Sequence, residues 1–176
     1  MFAVQLAHSH GAQVITTVSA NNIAFVKSLG ADKALDYRGT PFEDCVGKID
    51  LVFDTVGGDT LRRSWQVLKP GGRLVTVAVE SESESDERVR QAFFIVEPNQ
   101  TQLVEVGKLL EAGKLQTVVD TVLPVSAATE AFSGTVARQG RGKLVISTLQ
   151  WSSEQKAAFR SRPLQAAAYR SGPNCR

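Results

Sequence analysis

The chain has 176 residues, 43% hydrophobic and 22% charged, with a formal net charge of +2, which suits one globular domain with a sizeable core. No apolar run approaches the roughly 20 residues of a membrane span, and residues 1–10 lack the basic start and small-residue cleavage site of a signal peptide, so neither is expected. Beyond Trp151, Lys156, Arg160, Arg162, Arg170 and Arg176 outweigh Glu154 and leave the body mildly acidic, which is not the basic face of a nucleic-acid binder; Cys45 and Cys175, far apart and outside any Cys-x-x-Cys, point to a reducing compartment, expected to be cytoplasmic, and away from structural zinc.

Short β-rich runs alternate with helical patterns, which predicts an α/β fold on a mainly parallel sheet. Residues 1–10 read as a helix stopped by Gly11. Residues 13–18 (QVITTV) form a strand. Ser19 or Asn21 can cap the next helix, which buries Phe25, Val26 and Leu29 and stops at Gly30. Residues 33–37 are a short strand. The run 49–54 (IDLVFD) is apolar enough for a strand covered on both faces. Gly57 and Gly58 turn the chain, Asp59 caps a helix carrying Leu61, Trp65 and Leu68, and Lys69-Pro70-Gly71-Gly72 ends it. Strands follow at 73–78 and 93–96, separated by a charged surface loop with a short helix over 80–90. Asn99 with Gln102 resembles a capping box for a helix that runs to Gly113. Residues 117–123 are a strand, 126–138 a helix with Ala128, Phe132 and Val136 inward, and 143–148 a last strand. After Trp151 the chain has no clear periodicity and is expected to be poorly ordered.

Ligands of a doubly wound sheet bind outside the carboxyl ends of its strands. The candidates are therefore Ser19, Asn21 and Asn22; Tyr37; Thr55, Val56 and Gly57 behind Asp54; Val77 and Ala78; and Phe94, Ile95 and Val96. Lys143, at the start of the last strand, is a further candidate. Each also has a plain structural reading. Tyr37 can simply end a strand at the surface, 54–58 can be turn chemistry, Phe93 and Phe94 can be core, and Arg141 with Lys143 can be a solvated strand start. The Gly-x-Gly-x-x-Gly loop that cradles a pyrophosphate at a helix N-terminus is not in the sequence; Gly140-Arg141-Gly142 lies between a helix and a strand. Ser126 has no Gly-x-Ser-x-Gly elbow and reads as a cap. His8 and His10 lack carboxylate partners at helical spacing and read as surface. No residue stands out as catalytic, and no His/Cys cluster offers a metal site.

Five stretches, in order, carry a resemblance: AVQLAHSHGAQVITTVSANNIAFVKSLGADKALDY, KIDLVFDTVGGDTL, LKPGGRLVTVA, FFIVEPNQTQLVEVGKLLEAGKL and GRGKLVI. Together they resemble the quinone-oxidoreductase-like, zinc-free branch of the medium-chain dehydrogenase/reductase family, over residues 1 to about 148. The resemblance implies a Rossmann-type doubly wound sheet lacking its first strand and the glycine-rich loop that the family places before FAVQLA. It also implies three regions: a partial dinucleotide-binding domain at 1–116, a C-terminal remnant of the GroES-like catalytic domain at 117–150, and a basic tail at 151–176. Zinc-dependent relatives hold their metal mainly through the domain absent here. The activity implied is NADPH-dependent reduction of a carbonyl, enone or quinone by hydride transfer, with this chain a fragment of weak or no turnover. The alternative is a non-catalytic nucleotide-binding or dimerisation module, able to form a homodimer.

The cofactor expectation has its own physical basis. NAD-binding versions place an acidic residue after the second strand to hold the ribose 2′-hydroxyl. Residues 18–22 (VSANN) carry no carboxylate to repel a 2′-phosphate, which favours NADP. In the family this turn often carries Lys or Arg, and the Tyr of an Asp-Tyr pair helps bind the phosphate. Tyr37 matches that Tyr, while Asn21 and Asn22 stand where the cation would be, so phosphate affinity is expected to be weakened.

Overall fold

The computed structural model describes residues 1–78, 85–138 and 140–148; the predicted tail at 151–176 and much of the charged run at 80–90 lie outside the described residues. In chain order come α1 (Phe2–Ser9), β1 (Ile15–Val18), a 3-10 turn (Ala20–Asn22), α2 (Ile23–Ser28), β2 (Lys33–Asp36), α3 (Phe42–Cys45), β3 (Ile49–Asp54), α4 (Gly58–Ser64), a 3-10 turn (Trp65–Val67), β4 (Leu68–Thr76) and α5 (Glu87–Ala92). Then follow α6 (Gln100–Glu111), β5 (Val119–Pro124), a 3-10 turn (Val125–Ala127), α7 (Ala128–Ser133) and β6 (Lys143–Ser147). The chain divides into two compact units, Ala7–Asn99 and Met1–Leu6 with the chain from Gln100 onward.

In the unit Ala7–Asn99 the strands pair in parallel, β1 with β2 and β3 with β4, as alternating strands and helices require. Gly11, at φ 76°, ends α1 as expected, and Ala12 N–H returns to the Ala7 carbonyl at 3.1 Å. The Asp32 carboxylate accepts from Val14 N–H at 2.7 Å and fixes the entry to β1. The core of this unit is a cluster of Leu61, Leu74, Val89 and Ala92, with Val52, Trp65 and Leu68 packed against it. Full burial of a Leu or Val side chain contributes about 1.5–3 kcal/mol, so this cluster is what holds β3, β4, α4 and α5 together.

Several sequence expectations change. β3 is not covered on both faces. Side chains alternate along a strand: Val52 and Asp54 point to the core side, whereas Leu51 and Phe53 are 59% and 47% exposed. The segment Lys69-Pro70-Gly71-Gly72 does not stand outside a strand; it is a bulge inside β4. The register steps from Ile49↔Leu68 to Leu51↔Arg73, so two β3 residues span five of β4. Glycine at 72 suits the close approach there, because a Cβ would lie 3.0–3.2 Å from the carbonyls of Lys69, Ile49 and Asp50 and crowd them. The helix before it is shorter than its apolar spacing suggests: α4 ends at Ser64, and Leu68 already belongs to β4. Gly57, not Asp59, holds the cap position of α4. Asn22, not Ser19 or Asn21, precedes α2, with no side-chain cap bond. Among the described residues the predicted strand at 93–96 reduces to one bridge, Thr76↔Phe93.

In the other unit β5 pairs in parallel with β6. Gln5 is buried on α1 and clasps Gln116 twice, donating to its carbonyl at 3.0 Å and accepting from its N–H at 2.8 Å. The helix expected over 126–138 is a 3-10 turn followed by the short α7. It stops at Gly134, whose left-handed φ of 72° ends a helix without steric cost. Phe132, expected inward, is 87% exposed. Among the described residues no helix is long and apolar enough to cross a membrane.

Candidate functional site

The strand ends carry most of the predicted site residues, in two clusters. At the ends of β1 and β2, Tyr37 N–H bonds to the Val18 carbonyl at 3.2 Å and extends the ladder one residue beyond Asp36. This sets Tyr37 beside Ser19. The 3-10 turn folds Asn22 back on Ser19: Asn22 N–H reaches the Ser19 carbonyl at 2.8 Å, and the Asn22 amide donates to Ser19 Oγ at 3.2 Å. Asn21 is exposed on the same turn. Tyr37 is exposed, and the Arg38 guanidinium lies 5.4 Å from its ring centroid, a cation–π distance. Arg38 N–H bonds to Asp36 Oδ1 at 3.1 Å, and Gly39 N–H to the Asp36 carbonyl at 3.1 Å. That turn is what places the cation over Tyr37. Sequence reasoning missed Arg38, although a cation directly after a strand-end Tyr is visible in the chain.

At the ends of β3 and β4 the arrangement is buried. Asp54 and Thr76 are register partners on neighbouring strands, 5% and 0% exposed. The Thr76 hydroxyl donates to Asp54 Oδ2 at 2.7 Å, and Gly57 N–H donates to the same oxygen at 3.0 Å. Thr55 and Val56 are exposed on the loop between Asp54 and Gly57. Gly57, at φ 78°, makes the turn into α4, and its carbonyl accepts from Leu61 N–H at 3.3 Å. After β4, Val77 N–H bonds to the Asp54 carbonyl at 3.1 Å, and Ala78 is buried. Phe94, Ile95 and Val96 follow the single bridge and are exposed. Lys143 belongs to the other unit, where it opens β6 and its N–H bonds to the Val118 carbonyl at 2.9 Å.

Beside the second cluster Arg63 joins α4 to α3. Its Nη1 lies 2.9 Å from both carboxylate oxygens of Glu43, its Nε is 3.1 Å from Asp59, and the guanidinium stands 5.1 Å from the Phe42 ring centroid. The Arg63 hydrogen bond holds the Glu43 carboxyl below the usual range.

The chemistry of these groups is positioning. The first cluster presents a hydroxyl, an amide, a phenol and a cation to solvent, a donor set that fits a phosphate. The second presents backbone and small side chains around a left-handed glycine, which lets a flat ligand approach the chain. Among the described residues no group of three or more His, Cys, Asp or Glu is placed to hold a metal ion.

The sequence model of the family described as zinc-binding dehydrogenase matches residues 29–146. The chain is 36% identical over 160 residues to the probable zinc-binding oxidoreductase, mitochondrial, of Arthroderma benhamiae, covering 85% of this chain and 48% of that protein. It is 34% identical over 147 residues to the NADPH-dependent alkenal/one oxidoreductase, chloroplastic, of Arabidopsis thaliana, covering 81% and 36%. The solved quinone oxidoreductase of Coxiella burnetii superposes with a TM-score of 0.67 at 31% identity, over 82% of this chain and 48% of that one. The chain thus spans about half the length, or less, of these relatives.

Proposed function

The chain belongs to the medium-chain dehydrogenase/reductase family, in its quinone-oxidoreductase-like group, and from that premise we propose that it is the cofactor-binding part of an NADPH-dependent oxidoreductase acting on a small carbonyl, enone or quinone. The observation that carries the reading is the cluster at the ends of β1 and β2. There the Arg38 guanidinium lies over the Tyr37 ring, the Tyr37 N–H bonds to the Val18 carbonyl just before Ser19, and no carboxylate lies within 18–22 to repel a 2′-phosphate. Arg38 supplies the cation that Asn21 and Asn22 do not. Bound NADPH would supply a hydride from its nicotinamide ring, and the residues of this chain would bind and orient it. With no Gly-x-Gly-x-x-Gly in its 176 residues, the chain holds the two ends of the dinucleotide and turns over weakly or not at all by itself.

Titration of the purified chain with NADPH and NADH tests this. Trp65 packs on the core cluster under Arg88, whose guanidinium is 5.6 Å from the ring centroid, so its fluorescence reports folding. NADPH is expected to raise the melting temperature more than NADH at equal concentration. Equal shifts for the two would remove the NADP preference, and no shift for either would remove cofactor binding.

A second reading, self-association through β3, is favoured by the exposure of Leu51 and Phe53. Among the described residues β3 pairs only with β4, and an apolar strand with an open edge invites another strand. Light scattering should show a dimer that Leu51→Lys converts to monomer. A monomeric wild type sinks this reading.

A further inference from the structure

The buried pair at the ends of β3 and β4 does more than close the sheet. Asp54 accepts from Gly57 N–H and the Thr76 hydroxyl through Oδ2, at 3.0 and 2.7 Å, and from Val56 N–H through Oδ1 at 3.3 Å. Thr76 Oγ1 in turn accepts from Ala78 N–H at 3.1 Å. The direction of the chain of bonds is fixed. The carboxylate receives only donors, so the single hydroxyl proton of Thr76 points to it and leaves a lone pair for Ala78. The loop at 55–57 and the loop at 77–78 are therefore joined through one carboxylate–hydroxyl bond.

We propose that Asp54 and Thr76 are positioning residues: a hydrogen-bonded clasp that holds the two loops as one surface for the nicotinamide half of the cofactor. The proposal rests on the cofactor reading above. A doubly wound sheet is built from two mononucleotide-binding halves; with the phosphate-type donor set at β1 and β2, the nicotinamide half falls to β3 and β4. A purely structural role explains the pair poorly. Burying a carboxylate is costly unless it is fully bonded, and an apolar pair of similar volume would pack at this register without that cost. The neighbouring cluster of Leu61, Leu74 and Val89 already supplies the packing. What the polar pair adds is the fixed direction of the peptides at Val56, Gly57 and Ala78.

Thr76→Val removes the hydroxyl at nearly constant shape, and Thr76→Ser keeps it. Amide hydrogen exchange on the full chain is expected to quicken about tenfold or more at Gly57 and Ala78 in Thr76→Val. The ladder amides of β3 and β4 should hold, and Thr76→Ser should restore slow exchange. The same proteins are titrated with reduced nicotinamide mononucleotide and, separately, adenosine 2′,5′-bisphosphate. Thr76→Val should weaken the first about tenfold and leave the second within about twofold. Exchange at Gly57 and Ala78 that is unchanged, or that rises equally with the ladder amides, overturns the clasp. Equal weakening of both fragments also overturns it. A wild-type chain that takes up neither fragment overturns the cofactor reading instead, and the exchange result then decides the clasp by itself. Should Thr76→Val fail to fold, Asp54→Asn, which turns an amide N–H toward one of the donors, gives the same exchange contrast at Val56 and Gly57.

Discussion

The two strand-end clusters of the unit Ala7–Asn99 are built in opposite ways. At β1 and β2 Asn21, Tyr37 and Arg38 face water, and the order there comes from the backbone bonds of Tyr37 to Val18 and Asn22 to Ser19, with one side-chain bond from Asn22 to Ser19. At β3 and β4 the polar side chains, Asp54 and Thr76, are buried, and what faces outward is loop backbone with Thr55 and Val56. Exposed side chains at the first cluster can change with little effect on packing, whereas the buried pair at the second cannot.

The contrast breaks most plainly in stability. Asp54→Ala leaves three donors, the Val56 and Gly57 amides and the Thr76 hydroxyl, without their acceptor. Two of these are buried, which predicts a loss of about 3 kcal/mol. Tyr37→Ala, at an exposed strand end, should cost no more than about 0.5 kcal/mol. Denaturant melts of the two variants, run side by side, check this. Similar losses would mean that the clusters are not differently built.

A smaller effect sharpens the contrast on the binding side. Arg38→Gln should weaken NADPH about tenfold and leave NADH within about twofold, because one charge-assisted contact to a 2′-phosphate is worth roughly 1.4 kcal/mol. Parallel losses for the two cofactors would place the 2′-phosphate elsewhere. Thermal stability should not move, since Arg38 is exposed and its contacts are local.

The same division explains what could be read from the chain. The alternation of elements was legible because apolar runs and glycines punctuate it: Gly11 ends α1, and β1 to β6 fall within or against the apolar runs. Tyr37 and the loop at 55–57 were marked as candidates by the rule that ligands bind after strands, and the structure does set them at strand ends. The Asp54–Thr76 bond was not, since the partners are 22 residues apart and only the register of β3 on β4 joins them. Local pattern also misled. A run such as IDLVFD looks the same whether one face or both are covered, and burial of Leu51 and Phe53 is decided by what packs over them. Ala128, Phe132 and Val136 kept helical spacing across Gly134, where the helix had already ended.

The smallest effect concerns pH, and it belongs to the flank of the second cluster. Glu43 holds α3 against α4 through Arg63, and the Arg63 hydrogen bond, then a backbone hydrogen bond, depress its carboxyl. Asp86, which caps α5, is depressed in the same direction by the hydrogen bond from Arg88. Both carboxyls hold their protons more weakly in the folded chain than in the unfolded one. Their contribution is therefore present above the ordinary carboxylate range and is lost as pH falls through the folded values. Melting temperature should decline on acidification through that window, and Glu43→Gln should flatten part of the decline while lowering the plateau slightly at neutral pH. Both carboxylates are partly exposed, at 18% and 35% of their side chains, and reached by salt, so added salt should shrink the difference between wild type and Glu43→Gln. It should leave the gap between wild type and Asp54→Ala almost unchanged, because the Asp54 contacts are shielded from solvent ions by burial.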